Sequence, residues 1–237
     1  MVATRPDWLL LFDVDGTLLR TNGAGRESTR RAMREVYGTE GRLETFHFGG
    51  RTDWQIVVEL LDADDLAEDD IVARLPDYHA ALTRHLTDVI RDYPVEACPM
   101  GVETVQGLLD RPEYALGLVT GNVGSTVPIK LQAAGYDPAW FPIGAYGHEA
   151  QARQALPPLA IERAEAHFET RFPPDRVIVI GDTPADVACA RAAGAWAVLV
   201  NTGFESRETL VQAQADVLLD DLSAFMSVFP ALSGAQG

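Results

Sequence analysis

The sequence predicts an α/β protein: a Rossmann-like, mostly parallel sheet core with an inserted helical cap domain. Three observations carry this. Short apolar runs recur along the chain, bounded by turn residues. Helical stretches separate most of them. One interval, from about residue 20 to 91, carries helix patterns and no convincing strand. Strands that alternate with helices imply βαβ units and parallel pairing.

Trp8–Phe12 is the first apolar run, too short for a comfortable helix and followed by a polar turn at Gly16, so it reads as a buried strand. Further strands are expected at 115–119, 141–145, 177–180, 196–200 and 217–219, with helices at 102–109 and 186–193 among the connections. Between the first strand and this alternation, 26–36 and 53–61 read as amphipathic helices, and 69–90 as one or two more. About 70 residues of helix is too much for a loop, so the reading is an insertion. The core takes residues 1–20 and 97–237 and the helical cap 21–96, with hinges at 21–25 and 93–101, where Gly and Pro gather. The acidic run from Asp62 to Asp70 reads as a solvated face or a helix start.

Composition narrows the function classes. The chain has 237 residues, 47% of them hydrophobic, which suffices for a real core and excludes disorder. No apolar run reaches a membrane span of roughly 18 residues, and Met1 to Asp7 does not resemble the start of a signal peptide. Two distant cysteines, Cys98 and Cys189, argue against a disulfide framework and for a reducing, cytoplasmic setting. A formal charge of −16 repels nucleic acid and anionic lipid, so neither is expected as a partner. Of the 19 basic residues only Lys130 is a lysine, a bias that fits either arginine-rich coding or a high-salt habitat. His79, His85, His148 and His167 form no metal-ligand spacing.

Three segments carry candidate chemistry, each at a strand end, where open parallel sheets bind ligands. The first, Asp13-Val14-Asp15-Gly16-Thr17, places two carboxylates two residues apart, on one face if the extended geometry persists. The second, Thr120-Gly121-Asn122, offers a hydroxyl, a free backbone and an amide suited to phosphate oxygens. The third is Gly181-Asp182-Thr183-Pro184-Ala185-Asp186. Thr183 reads as an N-cap, Pro184 as the first helical residue and Asp186 as an acid at N3. Asp13, Asp15 and Asp182 at one sheet edge would repel one another unless a divalent cation joined them, and hard oxygen donors favour Mg²⁺.

In this order the motifs resemble the haloacid dehalogenase-like hydrolase superfamily, in particular its members with a type-one cap, such as phosphoglycolate phosphatases and β-phosphoglucomutases. The resemblance runs from about Trp8 to Phe225. It implies a Mg²⁺-dependent phosphatase that hydrolyses a small phosphate monoester, phosphoglycolate being the leading guess, through an aspartyl-phosphate. The alternatives are a phosphomutase or a non-catalytic protein on this fold. The resemblance makes Asp13 the nucleophile and Asp15 the general acid and base. Mg²⁺ would be held by Asp13, Asp182, the Asp15 carbonyl and, directly or through water, Asp186. Thr120, Gly121 and Asn122 would hold the transferring phosphoryl group.

The family has a lysine in its third motif. Here the matching stretch is Gln151-Ala152-Arg153-Gln154, so Arg153 takes that place, with Lys130 as the alternative. An acid at position 15 fits an oxygen leaving group, hence a phosphate ester rather than a halide or phosphonate. In the cap, Phe48-Gly49-Gly50-Arg51-Thr52-Asp53 is a pliable loop. Arg51 is expected either to read a substrate carboxylate or second phosphate, or to stay on the surface beside a helix start capped by Thr52 or Asp53. The expected partner is a small phosphorylated metabolite, met by a monomer or homodimer.

Overall fold

The computed structural model describes residues 5–227 except 63 and 65. The outer ends of the expected core, most of the leading segment and two positions of the acidic run lie outside these residues. The core is a six-stranded sheet in the order β5-β4-β1-β6-β7-β8, all neighbours parallel. The strands are β1 (Trp8–Phe12), β4 (Tyr114–Thr120), β5 (Ile143–Tyr146), β6 (Val177–Gly181), β7 (Trp196–Val200) and β8 (Val217–Leu219). A separate antiparallel pair joins β2 (Leu19–Arg20) to β3 (Glu96–Ala97).

β1 is central and buried along its whole length, which is why it reads as a continuous apolar run. Its side chains still alternate between faces. Leu9 and Leu11 pack with Leu156, Ala160 and Ala164 of α7 (Leu156–Phe168) and Val187 and Ala190 of α8 (Pro184–Ala192). Trp8, Leu10 and Phe12 pack with Val105 and Leu108 of α5 (Gly101–Leu109) and Val127 and Leu131 of α6 (Val127–Ala133). Helices therefore cover both faces.

The insertion between β2 and β3 holds α1 (Ala24–Tyr37), α2 (Asp53–Leu61), α3 (Glu68–Ala73) and α4 (Leu75–Val89). Met33, Tyr37, Val57, Leu60, Tyr78 and Leu82 give it a hydrophobic cluster of its own. The two segments linking it to the core run side by side. Leu19 pairs with Ala97, and Asn22 Nδ2 donates to the Pro94 carbonyl at 2.6 Å.

Expected boundaries shift for local reasons. β5 starts at Ile143 rather than Phe141, because Pro142 has no N–H for the ladder. Of the one or two helices expected over 69–90 there are two, meeting at Arg74, which ends α3 and caps α4. The acidic residues Glu68, Asp69 and Asp70 form the first turn of α3, where carboxylates complement the helix end.

Leu10 sits in the middle of β1, fully buried between Leu116 and Ile178. Leu10→Ala should cost about 2–5 kcal/mol of stability, read as a fall in the urea midpoint at unchanged slope. A cost below about 1 kcal/mol would mean that this strand is not the packing centre.

Candidate active site

The parallel sheet brings the carboxyl ends of β1, β4 and β6 together, and the three motifs meet there. Asp13 directly follows β1, Thr120 ends β4, and Asp182 follows β6. Carboxylate oxygens of Asp13, Asp182 and Asp186 lie within 4.8 Å of one another, and all three residues are buried. Burial and the charges of Asp13 and Asp186 push the Asp182 carboxyl well above the ordinary range. Asp13 is also raised, by burial first and by Asp186, against the opposing effects of Arg153 and Thr120.

One guanidinium answers these acids. Arg153, buried in a short turn before α7, places Nη2 2.9 Å from Asp13 Oδ2 and 2.5 Å from Asp186 Oδ1. Burial opposes its charge, but the two carboxylates outweigh that cost and hold Arg153 in its charged form. Its Nε is buried without a hydrogen-bond partner. The fold thus puts Arg153 beside Asp13, whereas Lys130 of α6 reaches a different acid.

Both carboxylate oxygens of Asp186 bond protein groups. Its Oδ2 accepts from Thr183 N at 3.0 Å, Thr183 Oγ1 at 2.7 Å and Asp182 N at 3.2 Å, while Oδ1 takes Arg153. It sits at N3 of α8 as its position suggested, and it caps the helix and anchors Arg153. Oδ1 carries only the Arg153 bond, so it keeps a lone pair toward the Asp13 and Asp182 carboxylates' shared space. Asp182 is oriented by Thr17 Oγ1 at 2.9 Å. Thr17 stood within the first motif but was not expected to orient Asp182. Gly16 adopts φ +86°, and a Cβ there would strike the Asp182 carboxylate, so this position requires glycine.

The two acids of the first motif part company. β1 ends at Phe12 and the chain bends at Val14, so the extended geometry does not persist. Asp15, half-buried, turns its Oδ2 to Lys130 Nζ and to Asn122 Nδ2, each at 2.7 Å. Its main-chain carbonyl accepts no backbone hydrogen bond among the described residues. Asn122 spends its amide inside the protein, donating to Asp15 and, at 2.7 Å, to Thr120 Oγ1. Its side-chain amide is thus engaged within the protein in this arrangement. Thr120 in turn bonds Asp13.

The cap loop lies directly on these strand ends. Asp53 N donates to the Gly121 carbonyl at 2.9 Å, and Thr52 Oγ1 to the Gln151 carbonyl at 2.9 Å. A Cβ on Gly121 would run into the Arg51 carbonyl, so glycine permits this backbone contact. Thr52 caps α2 through a capping box with Gln55. The Arg51 side chain does not join the acids. Its guanidinium bonds Glu59, at 2.8 Å, and the carbonyls of His47 and Gly49, over the Phe46 ring. Glu59, eight residues further along and within the capped helix, is the carboxylate it meets. Asp53, buried, pairs with His79 Nε2 at 2.7 Å, and His79 packs edge-on against His148. Only tertiary folding joins these residues, so the sequence offered no spacing that could have found them.

The donor set suits a divalent cation: the carboxylates of Asp13, Asp182 and Asp186, and no His or Cys in the cluster. Two acids whose protonation is favoured by burial first and by neighbouring carboxylates second are what a bound cation would relieve.

Comparison with known proteins agrees with this geometry. Residues 153–225 match the HAD-hydrolase-like family model. The chain is 24% identical over 221 residues to pyrophosphatase PpaX of Bacillus pumilus, spanning 92% of this chain and 94% of that protein. It is 24% identical over 222 residues to the phosphoglycolate phosphatase of Aliivibrio fischeri, spanning 93% and 95%. A crystal structure of a predicted phosphatase from Clostridium acetobutylicum superposes with a TM-score of 0.71 at 17% identity, covering 95% of this chain and 99% of that one. That last likeness is one of fold.

The raised acids make a thermal prediction. A carboxyl whose folded-state affinity for protons exceeds its unfolded one contributes stability below the ordinary aspartate range, and that contribution is lost as pH rises through the raised values. In chelator, Asp182→Asn should therefore melt higher than the parent protein, by a margin that grows between about pH 5 and pH 8. Added divalent cation should raise the parent's melting temperature and leave the variant's nearly unchanged. Superimposable melting curves in chelator at both pH values would contradict this.

Proposed function

We propose that this chain, which is similar to haloacid dehalogenase-like hydrolases, is a Mg²⁺-dependent phosphatase of a small phosphate monoester that works through an aspartyl-phosphate. One observation carries the reading. Asp13 stands at the end of the central strand, paired to Arg153 and adjoining Asp182, with a second acid, Asp15, two residues on. Residues 21–96 act as a cap and the remainder as the catalytic core.

Asp13 attacks phosphorus, and the bond to the leaving oxygen breaks with its electron pair staying on that oxygen. Asp15 supplies the proton. A water then attacks the aspartyl-phosphate, Asp15 takes its proton, and the Asp13–phosphorus bond breaks to free phosphate and restore the nucleophile. Arg153 balances charge at Asp13, and its unpartnered Nε is a donor available to a phosphoryl oxygen. Asp13, Asp182 and the Asp15 carbonyl would hold Mg²⁺, which when bound neutralises the charge of the acids and the phosphoryl group. Asp186 serves through Arg153 and the α8 terminus, or through a water. Main-chain contact between the cap loop and Gly121 excludes solvent from the reacting centre.

Relatives named for pyrophosphate and for phosphoglycolate put small anionic phosphate compounds first among candidate substrates. Of the two, phosphoglycolate fits better, because it releases an alkoxide that needs the proton Asp15 can give, whereas phosphate leaves as a weaker base. In this arrangement the Arg51 guanidinium is paired with Glu59, and it would have to leave that carboxylate to reach a substrate anion.

Two outcomes follow. Purified protein should release phosphate from small monoesters with Mg²⁺ and stop in chelator, and a panel that includes phosphoglycolate and pyrophosphate ranks the substrates. Asp13→Asn should abolish turnover while keeping the parent's circular dichroism spectrum. Substantial turnover by that variant, with deamidation excluded by mass spectrometry, would overturn the covalent mechanism.

A further inference from the structure

Lys130 is the single lysine in a chain whose other basic residues are all arginine. It projects from α6, is buried, and makes two short bonds: Nζ to Asp15 Oδ2 at 2.7 Å and Nζ to Asn122 Oδ1 at 2.5 Å. It makes no salt bridge to the Asp13, Asp182 and Asp186 group. An ammonium is compact and only donates, so it can serve two acceptors in a tight space without the planar demand of a guanidinium.

We propose that Lys130 is a positioning residue that locks Asn122 and Asp15 into the geometry needed for proton transfer to the leaving group. This deepens the phosphatase reading and rests on it. The argument is one of donors and acceptors. Because Lys130 can only donate, Asn122 must present Oδ1 to it, which turns Nδ2 toward Asp15 and Thr120. Asp15 Oδ2 then receives two donors, from Lys130 and Asn122, while Oδ1 has no partner among the described residues. A proton carried by Asp15 must therefore sit on Oδ1, and the same oxygen is the one left free to accept a proton from water. The lock also continues to the nucleophile. Asn122 Nδ2 bonds Thr120 Oγ1, and the Thr120 hydroxyl in turn acts on Asp13, lowering its proton affinity, so the acid and the nucleophile share one polar neighbour. Gly25, at the start of the cap's first helix, lies close to Nζ, which places this lysine at the seam between cap and core.

The role makes the effect of Lys130 depend on the leaving group. An alkoxide needs the proton from Asp15, but a phenolate of low basicity departs without it. With Mg²⁺ present, kcat/KM is measured for glycerol phosphate and for p-nitrophenyl phosphate in the parent, Lys130→Met, Asp15→Asn and the double variant. Lys130→Met should lower kcat/KM on the alkyl ester about tenfold or more beyond its loss on the aryl ester, with KM little changed. In the Asp15→Asn background the same substitution should cost less than about threefold, since its target is gone. Lys130→Gln, a second neutral variant checked by thermal melting, should follow Lys130→Met. Equal losses on the two esters, or additive losses in the double variant, would overturn the positioning role and leave the phosphatase reading intact. No phosphate release by the parent from any ester would overturn the phosphatase reading, and this inference with it.

Discussion

Three buried carboxylates at one edge of a parallel sheet form an electrostatic problem, and the surrounding structure is arranged around its solution. Asp13, Asp182 and Asp186 share a space only a few ångströms across, where low dielectric strengthens repulsion and water cannot screen it. Part of the compensation is internal. Arg153 is shared between Asp13 and Asp186, the N-terminus of α8 and the Thr183 hydroxyl take the other oxygen of Asp186, and Thr17 holds Asp182. The rest is left over, and it appears as the raised proton affinity of Asp13 and Asp182. Charge left over in this way costs stability at neutral pH, and a cation held among the acids would relieve it.

The cap meets this edge through main chain more than through side chains. Asp53 N to the Gly121 carbonyl, the Thr52 hydroxyl to the Gln151 carbonyl, and the bare Cα of Gly121 against Arg51 set the distance between the two parts. Contacts of this kind tolerate little sequence change at the glycine but ask nothing of the side chains nearby. Arg51 is thereby free to serve its own helix by pairing with Glu59. The paired β2 and β3 segments bring both connections through one narrow passage, so the insertion is joined to the core at a single place.

Two clusters thus divide the site. One gathers Asp182, Asp186 and Arg153 around Asp13. The other joins Lys130 with Asn122 and Asp15. Thr120 links them. The arginine-for-lysine exchange at position 153 keeps the positive charge beside Asp13. The lone lysine is found instead where a small donor must fit two oxygens.

Much of this was legible in the residues themselves. The apolar runs located the sheet strands because a strand buried on both faces needs apolar residues at every position, and the helical interval disclosed the insertion because no strand pattern interrupts it. Thr183, Pro184 and Asp186 announced the start of α8, since capping depends on neighbours in sequence. The sequence by itself also determined which acids stand at strand ends. What only the tertiary structure decided is how they pair. The bend at Val14 separated Asp13 from Asp15, Glu59 took Arg51, Asn122 turned inward, and Lys130 went to Asp15 while Arg153 went to Asp13. Capping and strand burial are written in residues a few positions apart. The partner of a buried charge is whichever opposite group the packed fold brings within about 3 Å, and that group can lie anywhere along the chain.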